Sequence, residues 1–287
     1  MIKTLFISDL HGSIRKYEFL FKKIRSELPA AVFIGGDLLG LAGFDNSSHL
    51  PSPHYFFRDY LTVELEKLQA ELKDRYPAIF VILGNDDPKS QETELIKMTE
   101  SGLITYANEK KIQFHDYTVV GYSCVSPTPF LNKDWEKYDV SRFTDVGCVS
   151  PEEGYRSVSV DVDELRYHTI KRDLQTMFTN LDMTKTICLF HSPPYQTNLD
   201  RAALDGKFVD HVPLDVHVGS IAIKEFIRAK SPYITLHGHI HESTRLTGSW
   251  MEKIGKTISF QGASERKDLA IIKIDLENPG KAEMLTS

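Results

Sequence analysis

Apolar residues in this chain come in short unbroken runs that stop abruptly in polar residues. "TLFISDLHG" reads as a buried strand entering a loop, with Ser13 capping the helix that follows. Ile14, Tyr17, Leu20, Phe21, Ile24 and Leu28 recur at helical spacing. "AAVFIGGDLLG" is a second strand, and Arg58 to Arg75 a second helix with Leu61, Leu65, Leu68 and Leu72 along one side. "AIFVILGNDDP" is a third strand, and Thr93 to Ser101 a short helix. "LITYAN", "KIQFHD" and "YTVVGYS" are closely spaced short strands, as in a meander. Asp163 to Leu181 reads as a helix, "TICLFHSPP" as a strand, "SIAIKEFIRA" as a helix and "YITLHGHIH" as a strand. "TISFQGAS" and "LAIIKIDL" close the chain as strands.

Strands alternate with helices, and the strands are apolar without a break. That predicts an α/β domain whose helices cover sheet faces, with strands buried on both sides. No repeat, low-complexity tract or linker divides the 287 residues, so 1–287 is read as one domain. The stretches near 43–57, 126–161 and 195–218 lack periodicity and are read as loop insertions.

The net charge of −6 and the absence of a dense Lys/Arg run weigh against polymeric nucleic acid as a partner. Cys124, Cys148 and Cys188 form no C-x-x-C pair, which fits a reducing compartment better than a disulfide framework. Cys188, inside "ICLF", reads as a core residue. No run has the length of a membrane span and no signal-peptide layout opens the chain, so a cytoplasmic protein is expected.

The chemistry sits where the strands stop. The first ends in Asp9 and His11, the second in Asp37, the third in Asn85, Asp86 and Asp87. The later two end in His191 and in "HGHIH", which carries His237, His239 and His241 at every second position. Extended residues at i, i+2 and i+4 share a face, so these three histidines are placed to converge. Singly, each signal has a plain structural reading. Asp9 could cap a helix, Asn85 and Asp87 could form a turn before Pro88, and His191 could be a satisfied interior residue. Together they place carboxylate, amide and imidazole groups at the carboxyl ends of strands, where layered α/β folds bind ligands. Burying such groups unpaired costs several kcal/mol each, by rough estimate, and a cation removes that cost. Imidazole and carboxylate without thiolate suit Mn, Fe, Zn, Co or Ni better than Ca or Mg. The donors exceed what one ion needs, and two ions about 3.5–4 Å apart, bridged by a carboxylate, would use them.

"DLH", "GGDLLG", "GNDD", the strand-end His of "HSPP", and "GHIH" occur in that order from Ile7 to Ser243. This pattern resembles the calcineurin-like metallophosphoesterase superfamily, in the form of its smaller bacterial and archaeal members. The resemblance implies a four-layer α/β/β/α sandwich, two mixed β-sheets face to face with helices outside. It implies Asp9, His11 and His241 on one metal, Asn85, His191 and His239 on the other, and Asp37 bridging. A metal-bridging hydroxide would then attack the phosphorus of a small phosphate ester. His237 has no place in the pattern and is read as a packed neighbour of the ligands.

The sequence departs from the family where a His usually follows "GN": Asp86 stands there, followed by Asp87. Two divalent ions less Asp9, Asp37 and a hydroxide leave one positive charge for a phosphate, which an ionised Asp86 would cancel. Asp86 is therefore protonated and acts as a general acid, or points away while His49, His54, His211 or His217 takes the role, or leaves an enzyme confined to good leaving groups. Asp86 and Asp87 are the candidate catalytic residues, for leaving-group protonation or for orienting ligands. Family members without the His often favour phosphodiesters, so a phosphodiesterase is expected ahead of a monoesterase, a protein phosphatase or a nuclease. The alternative is a non-catalytic scaffold, as the retromer subunit of this fold is.

Overall fold

A computed structural model describes residues 1–39, 55–265 and 268–287. The insertion read near 43–57 falls mostly outside them, and with it His49 and His54. The strands are β1 (Lys3–Ile7), β2 (Ala31–Gly35), β3 (Ala78–Ile82), β4 (Thr105–Tyr106), β5 (Lys111–Phe114), β6 (Tyr117–Tyr122) and β7 (Thr186–Phe190). They continue as β8 (Phe208–Val209), β9 (Val212–Pro213), β10 (Ile234–His237), β11 (Met251–Ile254), β12 (Thr257–Gln261), β13 (Ala270–Asp275) and β14 (Glu283–Thr286).

Two six-stranded sheets result, ordered β14-β13-β1-β2-β3-β4 and β11-β12-β10-β7-β6-β5, with β8-β9 a separate hairpin. Both sheets are mixed. β1 to β4 run parallel in the first, and β6, β7, β10 and β12 run parallel in the second. Alternation along the strands sorts the side chains into layers. Phe6, Phe33 and Phe80 pair across β1, β2 and β3 and face the second sheet, whose Ile187, Leu189, Ile234 and Leu236 complete the inner core. The intervening Leu5, Ile7, Val32, Ile34, Ile79 and Val81 face outward, into the core shared with Tyr17, Leu20 and Ile24 of the helix Ile14–Glu27 and Leu65 and Leu68 of the helix Thr62–Leu72. On the far side Phe190 meets Phe178 and Phe226, the latter on the helix Ile221–Lys230. The expected sandwich of two mixed sheets flanked by helices is thus the observed fold, and Cys188 lies in its core.

Four details differ from the pattern-based expectation. The meander does not form: β4 extends the first sheet beside β3, while β5 and β6 pair with each other and β6 with β7 in the second. β4 is two residues long, and Asn108 then takes the chain across, its Oδ1 accepting from Ser123 N. The helix expected from 163 to 181 is two, Val162–Tyr167 and Ile170–Met177. They part because Ile170 N donates to Tyr138 O, and Thr169 caps the second helix by accepting from Arg172 N. The helix Thr62–Leu72 begins with a wider turn, Phe56–Leu61. Ser13 stands at a helix start, but its side chain makes no capping bond.

Candidate metal centre

β1, β2, β3, β7 and β10 all end at one edge of the sandwich, and the chain there leaves the extended conformation at once. Asp9 (φ 59°), His11 (φ 47°), Asp37 (φ 51°) and His239 (φ 72°) lie in the left-handed region. Non-glycine residues there cost of order 1–3 kcal/mol each and mark sites where geometry has a use. The turns are fixed by backbone bonds between strand ends: Asp9 N to Gly36 O, His11 N to Asp37 O and Gly238 N to His191 O. Gly84 must be glycine, since a Cβ there would meet Asp37 Oδ1 and lie 2.6 Å from His191 Cε1.

Asp9, His11, Asp37 and His241 each offer an atom within 4.8 Å of the others. His241 Nε2 lies 3.0 Å from Asp9 Oδ1 and 3.0 Å from His11 Nε2. Asp37 also faces a second group. His191 Nε2 is 3.4 Å from Asp37 Oδ2 and 3.0 Å from Asn85 Oδ1, and the His239 ring centres 5.2 Å from that of His191. Of the seven residues expected as ligands, six therefore meet around the seventh, Asp37: Asp9, His11 and His241 on one side, Asn85, His191 and His239 on the other.

The donors fit cations. His191 Nδ1 gives its proton to Gly35 O at 2.7 Å, which leaves the Nε2 lone pair facing the Asn85 carbonyl oxygen and the Asp37 carboxylate. Three acceptors turned toward one another repel unless a positive charge lies among them. The same holds for His11 Nε2, His241 Nε2 and Asp9 Oδ1. Protons compete with a cation for these lone pairs: burial works against the Asp9 charge, yet a protonated His241 donating to it, with the charges of His241, His191 and His11, holds its carboxyl far below the usual range. Asp37 is likewise lowered, burial being outweighed by His191. Against its own burial, His191 is pushed up to about 10 by Asp37. Burial, then the neighbouring His191 charge, push His239 down to about 3.

The two aspartates after Asn85 have different places. Asp87 is wholly buried and accepts from Leu38 N (3.0 Å), Leu39 N (2.8 Å) and Gly84 N (2.9 Å). It ties the loop after β3 to the loop after β2 and faces away from any reacting group. Burial, then Asp37, raise its carboxyl to about 7 against those three donors. Asp86 is at the cluster: Oδ2 lies 3.6 Å from His11 Nδ1 and Oδ1 accepts from Asn85 Nδ2. Burial, then the Asp37 and Asp87 charges, push it up to about 8. β10 ends at His237, so the three alternating histidines do not share a face. His237 turns into the fold, where Nδ1 meets Ser192 O and Nε2 meets Thr235 Oγ1, both at 2.8 Å. His211 stands exposed at the β8–β9 turn, and His217 pairs with Asp200.

Sequence reasoning missed the supports. Lys16, almost wholly buried, donates to Asp9 O at 2.8 Å. Its register with Leu20 and Ile24 on the apolar helix face was the available signal. Asn132 Nδ2 donates to Asn85 O and Trp135 Nε1 to Asp87 O, so the insertion 126–161 holds the loop carrying those residues. Nothing local in the sequence marks that role.

A family profile described as calcineurin-like phosphoesterase matches residues 2–243. One solved crystal structure superposes with a TM-score of 0.58 at 17% identity, covering 99% of this chain and 98% of its own. TT1561 of Thermus thermophilus superposes with a TM-score of 0.55 at 14% identity, covering 99% of this chain and 97% of its own. No curated protein sequence matches the chain. Among the described residues no helix is long and apolar enough to cross a membrane, and all three cysteines are free.

Proposed function

The chain belongs to the calcineurin-like phosphoesterase family, and from that premise we propose a phosphoesterase with a two-cation centre that cleaves phosphodiesters in preference to phosphomonoesters. The observation that carries the reading is Asp37, which faces both halves of the acceptor cluster. Asp9, His11 and His241 would hold one cation with it, and Asn85, His191 and His239 the other. When bound, such a pair supplies an activated water and positive charge against the phosphoryl oxygens.

The protein's own part is to place these groups before substrate arrives. Gly35 O fixes the His191 ring through Nδ1, and Asp86 stands behind His11 Nδ1, so both rings turn Nε2 to the centre. Asp87 locks the loops after β2 and β3 against each other. Asp86 and Asp87 thus act here as orienting residues. Bound cations would oppose the rise that burial, Asp37 and Asp87 give Asp86, and once ionised the carboxylate at 86 also bears on substrate choice. A monoester brings two negative charges and a diester one, so a carboxylate beside His11 disfavours the monoester more.

The test is to strip the protein of metal and reload it separately with Mn, Fe, Zn and Ni. Each form is assayed on a bis-aryl phosphodiester and on the matching aryl phosphomonoester. The diester should be cleaved faster, with all activity lost on chelation. Cations bound at two per chain with neither ester cleaved would favour the scaffold instead.

A further inference from the structure

Lys16 occupies a position that disfavours a lysine. It is the third residue of the helix Ile14–Glu27, at the end where the helix dipole opposes a cation. It is 2% exposed, and among the described residues its ammonium forms no ion pair. Lysines are seldom buried so fully unless paired. Lys16, Leu20 and Ile24 share one helix face, so an apolar side chain would suit the packing better. What the lysine does instead is reach to the end of β1, where Nζ donates to Asp9 O at 2.8 Å. Asp9 is wholly buried, and among the described residues no other donor meets its carbonyl oxygen.

We propose that Lys16 is a positioning residue for the first cation, fixing the peptide after Asp9 so that Asp9 and His11 present their ligand atoms together; the assignment rests on the two-cation reading above. Asp9 (φ 59°) and His11 (φ 47°) both lie in the left-handed region, where a non-glycine backbone stays only under restraint. Asp9 N donates to Gly36 O and His11 N to Asp37 O, and His239 N meets the Asp9 carboxylate at 3.2 Å. Those bonds hold the amides and the carboxylate. Lys16 holds the carbonyl, and with it the plane of the peptide that leads from one ligand toward the other. In that arrangement Asp9 Oδ1 and His11 Nε2 each lie 3.0 Å from His241 Nε2.

The second site has its own supports. Gly35 O holds the His191 ring, Asn132 holds Asn85 O, and Asp87 holds the loop after β3. None of these bonds involves Lys16, so the loss of its contact should fall on the first site.

The sign of the effect separates this role from its rivals. A positive charge beside a cation site repels, so its removal would by itself tighten binding. A buried charge replaced by an apolar side chain of similar size is often neutral or stabilising for the fold. Lys16→Met should therefore melt, when stripped of metal, at or above the temperature of the stripped parent. It should nevertheless bind the first zinc about 10–100-fold more weakly, with the second near the parent's affinity. A zinc titration reads the sites separately, through the ring ¹⁵N signals of His11 and His241 for the first and of His191 and His239 for the second. Diester turnover of the methionine variant should fall at two zinc ions per chain and recover in excess zinc. Lys16→Arg keeps an N–H donor and should regain most of the lost affinity.

A first site as tight as the parent's or tighter, both sites weakened alike, or an arginine variant that folds but regains nothing overturns the assignment. So does a stripped methionine variant that melts well below the parent, since Lys16 would then serve the fold. If the parent itself takes up fewer than two zinc ions, the two-cation reading falls and takes the assignment with it. Two ions in the parent and an unchanged first site in the methionine variant remove Lys16 alone.

Discussion

Asp37 Oδ1 accepts from Asp86 N at 2.9 Å while Oδ2 faces His191 at 3.4 Å, so one carboxylate organises the loop after β3 and serves both halves of the cluster. Asp37→Asn keeps the shape and removes the charge. We expect metal content by mass spectrometry to fall from two per chain to one or none. The affinity loss should exceed the about 10–100-fold typical of losing an outer hydrogen-bond partner. Two tightly held cations in that variant would show that Asp37 bridges nothing. At position 86 the expected change is in selectivity. Asp86→His replaces a carboxylate beside His11 with a group able to donate, so monoester kcat/KM should rise relative to diester. An unmoved ratio would separate residue 86 from the chemistry. Much of this site was legible because its residues stop apolar strands, and a strand that ends in Asp or His shows itself in sequence. What was not legible depends on how the turns resolve. Asp86 and Asp87 look alike as text, but Asp87 N bonds Gly84 O, and that turn sends one carboxylate inward and leaves the other at the cluster. His237 is the converse case. Its spacing matched its neighbours, yet the strand runs through it and ends there.

The insertion 126–161 shows no periodicity, yet it is built around a buried ion pair. Lys133 Nζ lies 2.6 Å from Glu136 Oε2 with both side chains fully buried, and it also donates to Thr128 O. Removing one partner strands the other charge, so Glu136→Ala should destabilise by about 3–5 kcal/mol, measured by urea unfolding. The double variant Lys133→Met/Glu136→Leu should regain most of that, since no charge is left buried. Equal stability of the single and double variants would mean that the pair does not hold the insertion. The same element reaches the centre through Asn132, whose amide donates to Asn85 O at 3.0 Å. Asn132→Ala should cost only about 0.5–1.5 kcal/mol of fold stability. Its larger effect should be weaker binding of the second cation, read by titration calorimetry. Long-range bonds of this kind have no local signature, which is why the segment read as an irregular loop. The break between Tyr167 and Ile170 was hidden for the same reason, because the bond that makes it comes from Tyr138.

At the scale of the molecule, the candidate ligands are divided between the sheets. Asp9, His11, Asp37 and Asn85 follow β1, β2 and β3 of one, while His191, His239 and His241 follow β7 and β10 of the other. The layers were readable from the apolar runs, and the two-sheet arrangement came from the motif resemblance, because periodicity does not say which strand pairs with which. The edge strands β11 and β14 went unread, being four residues each and partly charged. The division has a thermodynamic consequence. A cation held from both sides ties the sheets together and binds only the folded chain, so it stabilises by mass action. At a hundredfold excess over Kd the gain is about 2.7 kcal/mol per site, which corresponds to roughly 5–10 °C in melting temperature for a chain of this size. Zinc should therefore raise the melting temperature of stripped protein by that order, and chelation should return it. Because the tie spans both sheets, amide exchange should slow in β1–β3 and in β7 and β10 together. Slowing confined to one sheet would mean that the cation is held from one side only, and would remove the two-sheet centre on which the proposed chemistry depends.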